Sequence, residues 1–169
     1  TKTFTSQMYL LALLCAEWSG NNELVNALNA IPAQLEDALD YLPSQIEDIV
    51  PSLLDYEGAV VLGRGISYPI ALEGALKILE TNKMKVKGYP ISDFYHGPVA
   101  QLHNNDLAFV LGQSGLMLED AKKMIAKLDT VGAKTIVITD ESEISGNNTL
   151  VSVKSTGCEY TMAFILALA

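Results

Sequence analysis

The chain has 169 residues, nearly half of them hydrophobic (49%), and a formal net charge of −9. Twenty acidic residues against eleven basic ones, with no basic stripe, argue against nucleic acid and anionic membranes as partners. No apolar run reaches the roughly 18 residues of a membrane span. Cys15 and Cys158 are too few for a disulfide framework, so a cytoplasmic protein in a reducing compartment is expected.

Phe4, Met8, Leu11, Cys15 and Trp18 recur at spacings of three and four, which predicts an amphipathic helix over 3–19 closed by Gly20. The apolar character of this helix also predicts a subunit interface around Met8, Leu11 and Trp18. Asn21 or Asn22 caps a second helix running to about Tyr41, with Leu24, Leu28, Ile31, Leu35 and Leu39 inward, and Pro32 within that pattern allows a kink or break near Ile31. Pro43 and Ser44 predict the start of a third helix, with Ser44 as its cap and Ile46, Ile49, Val50 and Leu53 inside. The first 57 residues carry nine acids against Lys2 alone, nearly the whole of the net charge, and those acids read as a solvated outer face.

After Gly58 the period changes. Short apolar or β-branched runs at 59–62, 107–111, 135–139 and 150–153, and an extended piece between Asn82 and His96, alternate with helix-length segments. Those segments are 68–82, 116–128 and the apolar run 161–169, while 140–149 reads as a surface loop. Strands alternating with helices predict an α/β fold of three layers, with a five-stranded parallel flavodoxin-like sheet preceded by N-terminal helices. The division expected is a helical segment over 1–57 packing on an α/β core over 58–169. With no start methionine and an apolar end, the chain is expected to be a piece of a larger protein.

The chemistry gathers between Ala59 and Pro98. Gly63-Arg64-Gly65-Ile66-Ser67-Tyr68 follows the first strand, with tyrosine where a dinucleotide fingerprint needs its third glycine, and no Gly-Lys-Ser/Thr loop occurs. What remains is a tight turn, either purely structural or holding an anion or sugar hydroxyl on its amides and Ser67. Glu73, Lys77 and Glu80 fall at i, i+4 and i+7 on one helix face. They make either an exposed ion-pair ladder or two carboxylates around one ammonium at a pocket edge, able to move a proton between adjacent carbons. His96 sits in a turn fixed by Gly97 and Pro98, and is either an ordinary loop histidine or a projected acid–base group. His103-Asn104-Asn105-Asp106 reads as turn chemistry without a role. No HxxxH or CxxC spacing is present, so neither a metal nor a cofactor is expected.

Gly65-Ile66-Ser67-Tyr68, Ala71-Leu72-Glu73-Gly74-Ala75-Leu76-Lys77, Glu80 and His96-Gly97-Pro98 together resemble the sugar isomerase (SIS) domain. Within it, they are most similar to the second SIS domain of the glucosamine-6-phosphate synthases, which are glutamine–fructose-6-phosphate aminotransferases. The resemblance implies aldose–ketose isomerisation of a sugar phosphate through an enediol. It makes Glu80 the group that shuttles the proton between C1 and C2, Lys77 a contact of the nearby substrate oxygens, and His96 an aid to ring opening across a subunit interface. Gly65, Ser67, Glu73, Gln113 and Ser114 become the substrate-binding set. SIS domains hold phosphate with a Ser-x-Ser-Gly-x-Thr loop, and here that place reads Gly112-Gln113-Ser114-Gly115-Leu116-Met117, two hydroxyls short. Phosphate affinity from this loop is therefore expected to be weak. The partners implied are a fructose 6-phosphate-like sugar, and a second SIS domain or a second copy in a dimer, with this chain supplying half a site. The rival readings are a SIS-type sugar-phosphate deglycase and a non-catalytic phosphosugar sensor.

Overall fold

The computed structural model describes residues 2–104 and 106–169. Two long helices come first: α1 (Lys2–Ser19) and α2 (Asn22–Ile49), followed by a 3-10 turn over Val50–Leu53. The Asn21 side chain caps α2 by accepting from the Leu24 amide at 3.0 Å. In the remainder strands alternate with helices except between the last two strands: β1 (Gly58–Gly63), α3 (Ser67–Asn82), β2 (Lys85–Pro90), the short α4 (Ile91–Tyr95), β3 (Leu107–Leu111), α5 (Leu118–Val131), β4 (Lys134–Thr139), β5 (Asn148–Ser152) and α6 (Glu159–Leu168). All strand pairs are parallel and the sheet order is β2-β1-β3-β4-β5, the flavodoxin-like arrangement expected from the sequence.

The central strands β1, β3 and β4 are largely buried on both faces, which is why they read as apolar runs and not as alternations, while the edge strands β2 and β5 are only partly covered. Val61, Leu107, Leu111, Ile136 and Val151 pack under α2, α3 and α6. Val60, Leu62, Ala108, Val110 and Val137 pack under α4 and α5 through Phe94, Met124, Ile125 and Leu128. Close approach of α3 to the sheet depends on Gly63 and Gly88, where a Cβ would stand 2.4 Å from the Ser67 carbonyl oxygen and 2.8 Å from that of Ala71.

The third helix predicted from Ser44 does not exist as a separate element: α2 runs unbroken through Pro32 and Pro43. A proline removes one backbone donor, but Leu28, Ile31, Ala38 and Leu42 keep one stripe buried past Pro32 and up to Pro43, and Ile46 and Ile49 continue it against the core. Ser44 is no cap; its hydroxyl donates back to the Tyr41 carbonyl at 3.1 Å. Leu39, predicted inward, is exposed, and its neighbour Ala38 is buried in its place. On α1, Phe4 and Met8 pack on the core and Ala16 is fully buried, whereas Leu11, Cys15 and Trp18 face outward. Together with Leu10 and Leu14 they leave an apolar stripe exposed, Trp18 at 86%.

α2 also covers the free edge of β5. The Gln45 carboxamide pairs with the backbone of Ser152, donating to its carbonyl at 3.0 Å and accepting from its amide at 2.9 Å. Asp37 takes the Lys154 ammonium at 2.8 Å, and the Tyr41 hydroxyl accepts from the Lys154 amide. A paired or covered edge strand presents no template to another chain.

Candidate functional site

The carboxyl ends of β1 and β3 lie side by side in the sheet, so the loops that follow them meet. The turn after β1 is tight: the Ser67 amide donates to the Arg64 carbonyl and the Tyr68 amide to that of Gly65, with Gly65 at φ +59°. Ser67 opens α3 fully buried, and its hydroxyl donates to the Gln113 side-chain oxygen at 2.6 Å. Gln113 is itself buried, and its amide nitrogen donates to the Glu159 carbonyl at the start of α6. These two members of the predicted binding set thus lock β1, β3 and α6 to one another. Ser114, the next residue, donates from both its amide (2.7 Å) and its hydroxyl (2.5 Å) to the carboxylate of Asp140 in the turn after β4.

α3 carries the titratable ladder. The Lys77 ammonium donates to Glu80 Oε2 at 2.5 Å and stands 3.9 Å from Glu73 Oε1. The side chains of Glu73 and Lys77 are mostly shielded, 20% and 33% exposed, while that of Glu80 is half exposed at the helix's far end. The hydrogen bond to Glu80 holds the Lys77 ammonium above the ordinary lysine range; partial desolvation opposes it, and the charges of Glu80 and Glu73 add to it. Glu73 and Lys77 line a cavity of about 250 Å³ whose other walls are apolar, from Val61, Ile70, Phe109 and α6.

His96 lies elsewhere. It closes α4, exposed, with its ring edge-on to Tyr95 at 5.9 Å. It lines a separate cleft of about 230 Å³ with Arg64, Ser92, Asp120 and Lys123, where Arg64 and Asp120 pair at 3.0 Å. The structure therefore brings Glu73, Lys77 and Glu80 together, and Ser67 with Gln113, while His96 stands in another cleft of the same copy. His103 pairs with Asp106 in its own turn; Asn105 of that turn lies outside the described residues. Among the described residues no group of three or more His, Cys, Asp or Glu is placed to hold a metal ion, and no helix is long and apolar enough to cross a membrane.

The sheet of this order carries an ALEGALK helix after a glycine turn and a His-Gly-Pro turn, the segments on which the family resemblance rests. A model of the SIS domain matches residues 52–167. The chain belongs to the SIS domain family. It is 32% identical over 158 residues to the glutamine–fructose-6-phosphate aminotransferase (isomerizing) of Thermosynechococcus vestitus, covering 88% of this chain and 25% of that protein. The Escherichia coli K12 aminotransferase is likewise 32% identical, over 83% of this chain and 24% of its own length. The chain thus spans about a quarter of the length of these curated relatives. Among solved structures, the C-terminal domain of the Francisella tularensis glucosamine–fructose-6-phosphate aminotransferase superposes with TM-score 0.76 at 25% identity, covering 86% of this chain and 43% of that one. A glucosamine-6-phosphate deaminase from Thermotoga maritima superposes with TM-score 0.66 at 25% identity, covering 99% and 50%.

The sequence reading missed Asp140. It lies 26 positions from Ser114, at the head of the 140–149 segment whose composition reads as a surface loop. The only available signal was the parallel pairing of β3 with β4, which sets Leu111 opposite Ile138 and so brings the two following turns together.

Proposed function

We propose that this SIS domain, with residues 1–57 as a helical segment on a 58–169 core, supplies half of an aldose–ketose isomerase site in a glutamine–fructose-6-phosphate aminotransferase-like enzyme of the cytoplasm. The observation that carries the reading is the α3 ladder: one ammonium held between two carboxylates, with Glu73 and Lys77 beside an apolar cavity and Glu80 reaching past them. Glu80 is the base. It removes a proton from C1 of the ketose, the C1–C2 double bond forms as the carbonyl pair moves onto O2, a proton passes from O1 to O2, and the same carboxyl returns its proton at C2 as C1 becomes the carbonyl. One carboxylate has two oxygens and serves both carbons without backbone movement. Lys77 pairs with Glu80 and stabilises the enediolate oxygens, and Glu73 sets the position of Lys77. Gly65, Ser67, Gln113 and Ser114 act indirectly, holding the strand-end turns from which α3 carries the ladder.

His96 stands in a different cleft from the ladder, which supports a site shared between two SIS units, His96 of one serving the ring opening at the ladder of the other. The exposed α1 stripe of Leu10, Leu11, Leu14 and Trp18 supports the same pairing, with a second SIS domain or copy as its cover. The test mixes two inactive variants of the full-length enzyme, Glu80→Gln and His96→Ala. A shared site restores up to about a quarter of the sites in random mixed dimers; a site built within one copy restores none.

A further inference from the structure

The loop between β3 and α5 holds an anion already, and that anion is part of the chain. The Ser114 amide and hydroxyl converge on one carboxylate, that of Asp140, at 2.7 and 2.5 Å. Two donors on a single oxyanion group is the way a loop of this kind would grip an incoming phosphate. Asp140 is fixed from behind as well: the Thr139 hydroxyl before it donates to the Gly112 carbonyl at 2.6 Å and accepts from the Glu141 amide after it at 3.0 Å.

The rest of the loop is closed in the same spirit. Met117 lies over Gly65, whose added Cβ would stand 3.3 Å from the Met117 Cγ, so a thioether fills the space between the two strand-end turns. The Glu159 side chain lies against Gly115, where an added Cβ would come within 2.6 Å of the Glu159 carboxyl carbon. Helix α5 begins with Glu119 and Asp120 in its first turn, which already complement the positive end of its dipole. A phosphate approaching this loop meets two carboxylates, finds the Ser114 donors taken, and gains nothing from the helix.

We propose that Asp140 is a specificity-determining residue, an internal carboxylate that occupies the anion-binding donors of the 112–117 loop and keeps phosphate out of it. The inference deepens the reading above and rests on it only for the kind of ligand. The loop's closure itself is a property of this chain, whatever its reaction.

The experiment titrates inorganic phosphate into the isotope-labelled 169-residue chain and follows the backbone amide signals of Ser114 and Gly115. Wild type shows no saturable shift there. Asp140→Ala removes one negative charge and frees both donors, and phosphate then binds at the loop at least about tenfold more tightly than to wild type. Adding Ser114→Ala to that variant takes the gain away again. A dispersed amide spectrum establishes that each variant is folded, and Asp140→Gly, which likewise removes the acceptor oxygens and the charge, replaces the alanine variant if that one does not fold. Saturable phosphate binding at the Ser114 amide of wild type, as tight as in the variant, overturns the proposal; so does a folded charge-free variant with no gain. Because the probe is bare phosphate and the readout is the loop, the result stands apart from whether the ladder isomerises a sugar.

Discussion

Gly63→Ala tests how the sheet delivers the site. Gly63 ends β1, and a methyl there would stand 2.4 Å from the Ser67 carbonyl oxygen, 2.7 Å from its carbon and 2.9 Å from the Tyr68 amide nitrogen. All three are backbone atoms of the first turn of α3, so no side chain can swing aside. Overpacking of this kind costs about 1–3 kcal/mol, and the rigid neighbours place it at the upper end. Relief requires the start of α3 to move off the strand, which pulls the Ser67 hydroxyl from Gln113 and leaves a buried polar pair unmade, about 1–3 kcal/mol more. The expected loss is about 3–5 kcal/mol, a large part of the roughly 5–15 kcal/mol that holds a domain together. Urea unfolding followed by far-ultraviolet circular dichroism reads it as a lower midpoint at unchanged slope. Gly74→Ala is the matched control: it adds the same methyl in the interior of α3 with nothing within 4 Å, and should stabilise by about 0.5–1 kcal/mol through helix propensity. A Gly63→Ala protein within about 1 kcal/mol of wild type would refute the close strand–helix contact on which the site geometry depends.

Other expectations concern charge and association. The Lys77 ammonium should titrate above the ordinary lysine value of about 10.4 in a nitrogen-detected NMR titration, and its midpoint should fall in Glu80→Gln, since the Glu80 hydrogen bond is the main cause of the raise. Because the folded-state value is raised, the stabilisation from this pair is complete below the ordinary lysine range and is lost as pH climbs through the raised value; a midpoint unmoved by Glu80→Gln would remove Glu80 as the cause. Sedimentation should show concentration-dependent self-association that Trp18→Lys weakens, because that indole is the most exposed part of the α1 stripe; association undiminished by the substitution would place the interface elsewhere.

The centre of the sheet was legible because β1, β3 and β4 are largely buried on both faces and announce themselves as apolar runs, whereas the edge strand β2, with Lys85 and Lys87 exposed, reads only as an extended piece. The ladder on α3 was legible because i, i+4, i+7 spacing is geometry that a single helix enforces. Where two surfaces compete for a helix, spacing alone failed. On α1 the apolar residues run round much of the helix, so periodicity could not tell the face that meets the core through Met8 and Ala16 from the one that meets solvent through Leu11 and Trp18. On α2 proline chemistry pointed to a break at Pro43, but the buried stripe from Leu28 to Leu42, carried on by Ile46 and Ile49, outweighs the loss of one backbone hydrogen bond. Asp140 was out of reach because its meaning depends on a partner in another turn, and only the strand register supplies that neighbour.

The central claim is that Glu80 moves the proton, and it is tested most directly in the full-length enzyme by Glu80→Gln. The substitution keeps the shape of a half-exposed side chain and removes the base, so the fold should be intact while isomerisation of the sugar phosphate falls by at least about 10²-fold. Exchange of the C1 hydrogen with deuterated solvent should disappear in step with turnover. A variant that isomerises and exchanges at near wild-type rates would reduce Glu80 to the last rung of a surface ion-pair ladder and contradict the account.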